Sequence, residues 1–334
     1  MSEKNLTIAD QVRLFNNQEL PFDVPGVDPE ITKVLNPEYP ISKERICIKD
    51  PDTGLTYAGL FYNKENLGQI TPLVASPEWN ICLKHKPEVY MFDQIAIDGR
   101  PLIVLENPST GASSNLTYVQ NTILKKSKYP FSGVARSMYK ALESLDLEGD
   151  QYDFFGYSMG SCVVSQLALE FIEHGSSVRN ITLVEPLGVV DMRIRELGKR
   201  FLSDLGMLGF YEDDPHNVDQ RKASGVGEMP LKKNAKLMTK WLSSSRRRGV
   251  FTGYLQAMSY RFMPGLLYNI KSFSEDTNIT IIHGGESKVS PSKDIPNLYG
   301  DVEIRHIILP GDSHSFGERG KRVAGLLRLV ERTQ

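Results

Sequence analysis

Residues 153–164, DFFGYSMGSCVV, join an apolar strand-like run to an amphipathic helical pattern through a turn that carries one serine. Gly156 and Gly160 stand two residues to either side of Ser158. A tight strand-to-helix turn lifts such a hydroxyl clear of the backbone. The first amides of the helix then face any negative charge that develops beside it. Glycines at these places let strand and helix approach closely. The same five residues would also make a glycine-rich turn with an idle serine. The apolar strand before them and the helix after them favour a nucleophile that attacks carbonyl carbon.

A serine hydroxyl needs a base. The six histidines are His85, His174, His216, His283, His306 and His314. In a parallel sheet, functional groups collect on loops at the carboxyl ends of strands. This singles out His314, in LPGDSHSFGE, between the strand-like EIRHIIL (303–309) and the last helical segment (317–331). His306 falls inside that strand, His174 ends the helix after Ser158, and His283, at the end of NITIIHGG, ranks second.

The surrounding elements alternate. RICIK and LTYAGLFY flank the turn DPDTG, and QIAI passes through Asp98-Gly99 into PLIVLENP, all of which read as strands. The unbroken LIVL predicts a strand buried on both faces. Helical spacing over 133–147, the strand YDFF, a helix over 161–174 and the strand ITLVEP follow. This order implies an α/β fold with a mostly parallel sheet flanked by helices. About 90 residues then lack strand signals before NITIIHGG, and a helical cap inserted before the penultimate core strand is expected there. The division is an N-terminal proline-rich arm over 1–40, a core over 41–190, a cap or lid over 191–277 and the rest of the core over 278–334. Trp241, Phe251, Tyr254, Tyr260, Phe262 and Tyr268 are candidates for cap core or an apolar acyl pocket.

The chain has 334 residues, 24% charged and 40% hydrophobic, with a net charge of −2. That balance gives no general attraction to nucleic acid or anionic membranes. The run Arg246–Arg248 reads as a solvated helix end or loop. No apolar run reaches the ~20 residues of a membrane span, and MSEKNLTIAD lacks the pattern of a secretory signal. Three scattered cysteines argue against a disulfide framework. A cytoplasmic protein is expected. No metal or cofactor is implied, because ligand clusters and phosphate-binding glycine loops are missing from the pattern. Oligomeric state is not legible.

The order of apolar strand, GYSMGS, late cap and GDSH before a final helix resembles the α/β-hydrolase superfamily, over about residues 45–331. The resemblance implies Ser158 as nucleophile and His314 as general base. LENPSTGASSN would be the oxyanion loop after the third strand, with Asn107-Pro108 where many members have His-Gly. The donors would be backbone amides of Met159 and of Ser109 or Thr110. In much of the superfamily the acid is an Asp within Gly-x-x-Asp-x-Val-x-Pro. Here the register Gly284 to Pro291 puts Ser287 at that place. Two carboxylates can compensate: Glu286, one residue away, and Glu185, at the end of ITLVEP. Glu185 is preferred, because strand ends gather catalytic groups in such a sheet; Asp312 reads as a turn-former. The implied activity is serine hydrolysis of an ester, thioester or amide of a small or medium apolar molecule, or acyl transfer by the same route. The competing expectation is a degenerate hydrolase-like protein that binds a ligand or partner.

Overall fold

A computed structural model describes residues 41–77, 86–116, 129–145, 147, 149–212, 245–290, 299, 302–310, 312–314 and 320–332. The arm over 1–40, Trp241, His85 and His216 lie outside the described residues. Among the described residues eight strands run in chain order: β1 (Lys43–Lys49), β2 (Thr56–Tyr62), β3 (Leu73–Ser76), β4 (Leu102–Leu105), β5 (Gln151–Tyr157), β6 (Ser177–Val184), β7 (Asn278–Gly284) and β8 (Arg305–Leu309). They form one sheet in the order β1-β2-β4-β3-β5-β6-β7-β8. The pairs β1–β2 and β2–β4 are antiparallel and the other five pairs parallel.

Side chains alternate across this sheet, and both faces are covered. In β4, Leu102 and Val104 join one apolar cluster, while Ile103 and Leu105 join the other. In β5, Phe154 and Phe155 divide the same way. On one face lie α1 (Lys86–Ile95) and α7 (Gly320–Arg332), through Met91, Phe92, Ile95, Val323, Leu327 and Val330. The opposite face takes α2 (Ser132–Leu142), α3 (Met159–Glu173) and, further along, α5 (Ser245–Met258) and α6 (Met263–Phe273). Between β6 and β7 the described residues form α4 (Ile194–Glu212), α5 and α6, and no strand. None of the described helices is long and apolar enough to cross a membrane.

Two local expectations fail. QIAI (94–97) is the end of α1 and a short 3-10 turn, not a strand. Its apolar residues Ile95, Ala96 and Ile97 are buried through helical rather than alternating spacing. The third strand is instead LVAS (73–76), whose four residues are too few for alternation to mark them.

The end of the sheet away from Ser158 is tied by a buried ionic cluster. Asp153 on β5 pairs with Arg100 and Arg179, and Arg100 also pairs with Glu331 of α7. Burial raises the Glu331 carboxyl, and Arg100 opposes that rise. Removing Arg100 takes the counter-charge from Glu331 and leaves the buried Asp153 with Arg179 alone. Arg100→Leu is expected to lower the unfolding free energy by about 3 kcal/mol, read as a shift of the urea midpoint.

Candidate active site

The chain runs outward from β3 to β4 and returns on the other side of β3 as β5, so the strand order reverses between β3 and β5. Crevices at the carboxyl ends of strands form at such a point. Ser158 follows β5 there, with φ 54° and ψ −120°, and precedes the first turn of α3. This conformation is costly for a residue with a side chain. It is held by the Ser158 amide, which donates to the Val184 carbonyl at 2.8 Å. The flanking glycines are required by contact. A Cβ on Gly160 would sit 2.0 Å from the Ser76 carbonyl oxygen, and one on Gly156 2.5 Å from Ser161 Cα. The turn is therefore pressed against the end of β3.

Glu185 leaves β6 with φ 51°, one of five described non-glycine residues with positive φ, together with Asn63, Ser109, Phe131 and Ser158. Its amide donates to the Ile282 carbonyl at 2.8 Å, which ties the turned residue to β7. His314 lies in the loop after β8. Ser158 Oγ is 3.0 Å from His314 Nε2, and His314 Nδ1 is 2.8 Å from Glu185 Oε2. With the Nδ1 proton donated to the carboxylate, Nε2 presents its lone pair to the serine hydroxyl. All three residues are buried, Ser158 and Glu185 completely. Tyr157 stacks on the His314 ring and donates its hydroxyl to the His314 carbonyl at 2.7 Å, while Phe201 of α4 meets the ring edge-on.

Ser287 occupies neither the acid's role nor an idle place. Its hydroxyl donates to Glu185 Oε2 at 2.7 Å, and the Gly284 amide donates to Oε1. The alternative acid, Glu286, is exposed; its amide donates to the Asp312 carbonyl at 2.8 Å. The turn there directs residue 286 outward and residue 287 inward. Asp312 lies in a turn, donating its amide to Leu309.

The expected oxyanion loop needs correction. LENPSTGASSN follows β4, not the third strand. The Ser109 amide donates to the Ser114 carbonyl at 2.8 Å, and the Thr110 amide to Asn107 at 3.1 Å. These local turns consume both donors. Asn107 instead links the two strand ends, with its Nδ2 donating to the Pro77 carbonyl at 3.2 Å. Met159 opens α3, where first-turn amides lack an intrahelical acceptor. Among the aromatic candidates, Tyr254 and Phe262 are buried, and the Tyr254 hydroxyl donates to the Pro108 carbonyl at 2.9 Å. Tyr260, in the bend between α5 and α6, and Tyr268, on α6, are 54% and 62% exposed, so neither belongs to the buried core. The Phe251 side chain lies outside the described residues.

No protein-family model matches the chain, and no curated protein matches it either. Solved structures do. A thermophilic esterase from Thermogutta terrifontis is 15% identical, with a TM-score of 0.56 over 87% of this chain and 98% of that one. A serine hydrolase involved in carbazole degradation is 12% identical, with a TM-score of 0.55 over 87% and 100%. An α/β hydrolase from a Medee basin deep-sea metagenome is 13% identical, with a TM-score of 0.54 over 88% and 95%. The chain has the α/β-hydrolase fold. Within that fold the described residues contain no group of three or more His, Cys, Asp or Glu able to hold a metal ion.

Behind Glu185 lies a second imidazole that the sequence ranked only as an alternative base. His283 is next to last in β7 and 1% exposed, and among the described residues neither of its buried ring nitrogens has a hydrogen-bond partner. Its Nδ1 is 3.9 Å from Glu185 Oε1, beyond hydrogen-bond reach. Burial, with His306 and His314 adding to it, holds its pKa well below the ordinary 6.5. The folded protein therefore refuses a proton that the unfolded chain accepts, and stability falls as pH drops below about 6.5. This single group contributes a slope of up to about 1.4 kcal/mol per pH unit. His283→Leu is expected to flatten the fall in unfolding free energy between pH 6.5 and 5, measured by urea titration at each pH. His306, also lowered by burial, leaves a residual slope of the same sign.

Proposed function

We propose that this chain is a serine hydrolase that cleaves an ester, thioester or amide of a small or medium apolar molecule through an acyl-enzyme on Ser158. The observation that carries the reading is the continuous hydrogen-bonded line from Ser158 Oγ to His314 to Glu185. His314 Nε2 takes the serine proton as Oγ attacks the carbonyl carbon, then returns it to the leaving group. Glu185 holds the tautomer and stabilises the imidazolium formed on the way. The Met159 amide, at the start of α3, is the proposed donor to the oxyanion. Water attacks the acyl-enzyme with His314 again as base; an alcohol in its place gives acyl transfer.

We assign residues 191–277 to the cap. The contacts of Phe201 with His314 and of the Tyr254 hydroxyl with Pro108 favour this, since both reach from that segment to strand-end loops. Cys47 and Cys162 are free thiols, which fits a cytoplasmic location. The esterase and serine-hydrolase neighbours support the reaction class as analogy of fold.

The second reading, a hydrolase-like binding protein without turnover, is favoured by one observation: the amides of Ser109 and Thr110 are already bonded. A fluorophosphonate probe and a short nitrophenyl ester separate the two. Wild type is expected to label, and Ser158→Ala and His314→Ala to lose labelling while remaining folded. Ester turnover is expected to fall by about 10⁴-fold in Ser158→Ala, and by at least about tenfold in Glu185→Gln. Folded wild type that labels no better than Ser158→Ala establishes the binding reading instead.

A further inference from the structure

We propose that Ser287 is a positioning residue whose hydroxyl holds the Glu185 carboxylate on His314 and away from His283; the inference rests on the hydrolase reading of the same site. The two carboxylate oxygens carry different loads. Oε1 takes the Gly284 amide, whereas Oε2 takes both the Ser287 hydroxyl at 2.7 Å and His314 Nδ1 at 2.8 Å. The Ser287 hydroxyl has one proton to give. Its oxygen already accepts the Ser290 amide at 3.2 Å, which directs that proton toward the carboxylate. Ser290 Oγ in turn donates to the Pro186 carbonyl at 2.9 Å, and the Ser287 amide donates to Gly284. The turn after β7 is thus stitched to the residue that follows Glu185, and the hydroxyl is held in register.

A competitor makes the hydroxyl necessary. Among the described residues His283 Nδ1 has no hydrogen-bond partner, and it lies 3.9 Å from Oε1 in the same buried region. A buried imidazole nitrogen without a partner gains a full hydrogen bond if the carboxylate turns toward it. That turn draws Oε2 from His314. The groups facing the carboxylate are the Gly284 amide and His283 from the β7 strand end, Ser287 from the turn after it, and His314 from the loop after β8, with His306 of β8 next to His283. Ser287 is the group that opposes the competing turn by bonding the oxygen His314 needs.

The test uses the full chain, with thermal unfolding as the control for folding. Ser287→Ala is expected to lower kcat on a short nitrophenyl ester by about tenfold and to leave KM within about twofold, because the loss is of alignment and not of substrate contact. Ser287→Thr keeps a hydroxyl and is expected to stay within about threefold of wild type. Adding His283→Leu to Ser287→Ala removes the competitor and is expected to return at least about threefold. A folded Ser287→Ala with wild-type kcat overturns the proposal, as does a folded Ser287→Thr no better than Ser287→Ala, or a folded double variant with no recovery. Each of these results leaves the hydrolase reading standing if wild type still exceeds Ser158→Ala. If wild type has no turnover, that reading fails by itself. The downfield His314 Nδ1 proton resonance, absent from His314→Ala, then tests the positioning directly: it is expected to shift or broaden in Ser287→Ala, and an unchanged resonance overturns the proposal.

Discussion

A carboxylate removed from water keeps its place in a protein only if donors surround it, and Glu185 is such a group. Its donors come from two separate stretches: Gly284 at the end of β7 with Ser287 in the turn just beyond it, and His314 after β8. They converge because β6, β7 and β8 are parallel neighbours whose carboxyl ends open on one edge of the sheet. Any rearrangement of that order strands the charge. The fold and the candidate chemistry are therefore bound by one electrostatic requirement.

Backbone strain sits at the same edge. Ser158 and Glu185 both hold positive φ on leaving their strands, at a cost of about 1–3 kcal/mol each. The sheet offsets it locally. Ser158 and Glu185 each donate their amide to a neighbouring strand, to Val184 and Ile282. The result is that both side chains turn across the strand ends instead of following the alternation above and below the sheet. A relaxed residue at either place points into one of the two apolar layers, where a hydroxyl or carboxylate has no partner.

Cover over the site comes from different material. Phe201 of α4 closes on His314, and Tyr254 of α5 reaches the carbonyl of Pro108 beside the end of β4. Ser158 is fully buried. On the proposed hydrolase reading, the sheet edge carries the reacting atoms and the helices between β6 and β7 carry the choice of substrate, so the two belong to different parts of the chain.

The residues that could be read from the sequence are those marked by local pattern. The glycines around Ser158, the apolar strand before it and the helix after it lie within a dozen residues, and each is a short-range requirement of the same turn. His314 was legible for a similar reason, since it stands between a clear strand and a clear helix. What the sequence left open was which carboxylate meets that imidazole. Glu185 and Glu286 were both admissible because the choice depends on contacts over 129 and 99 residues of chain, to His314 and Gly284. It depends as well on a left-handed turn at Glu185 that no residue type announces. LVAS escaped notice because four residues carry no period, and QIAI misled because a short apolar run suits helix and strand alike. The bonding of the Ser109 and Thr110 amides was equally hidden, because loop amides find their acceptors through the path of the loop. The sequence alone determined the serine turn and the alternating layers, through spacing along the chain. Only the tertiary structure decided which carboxylate meets His314, its Ser287 partner and the neighbouring His283, because these meet through the side-by-side order of strands.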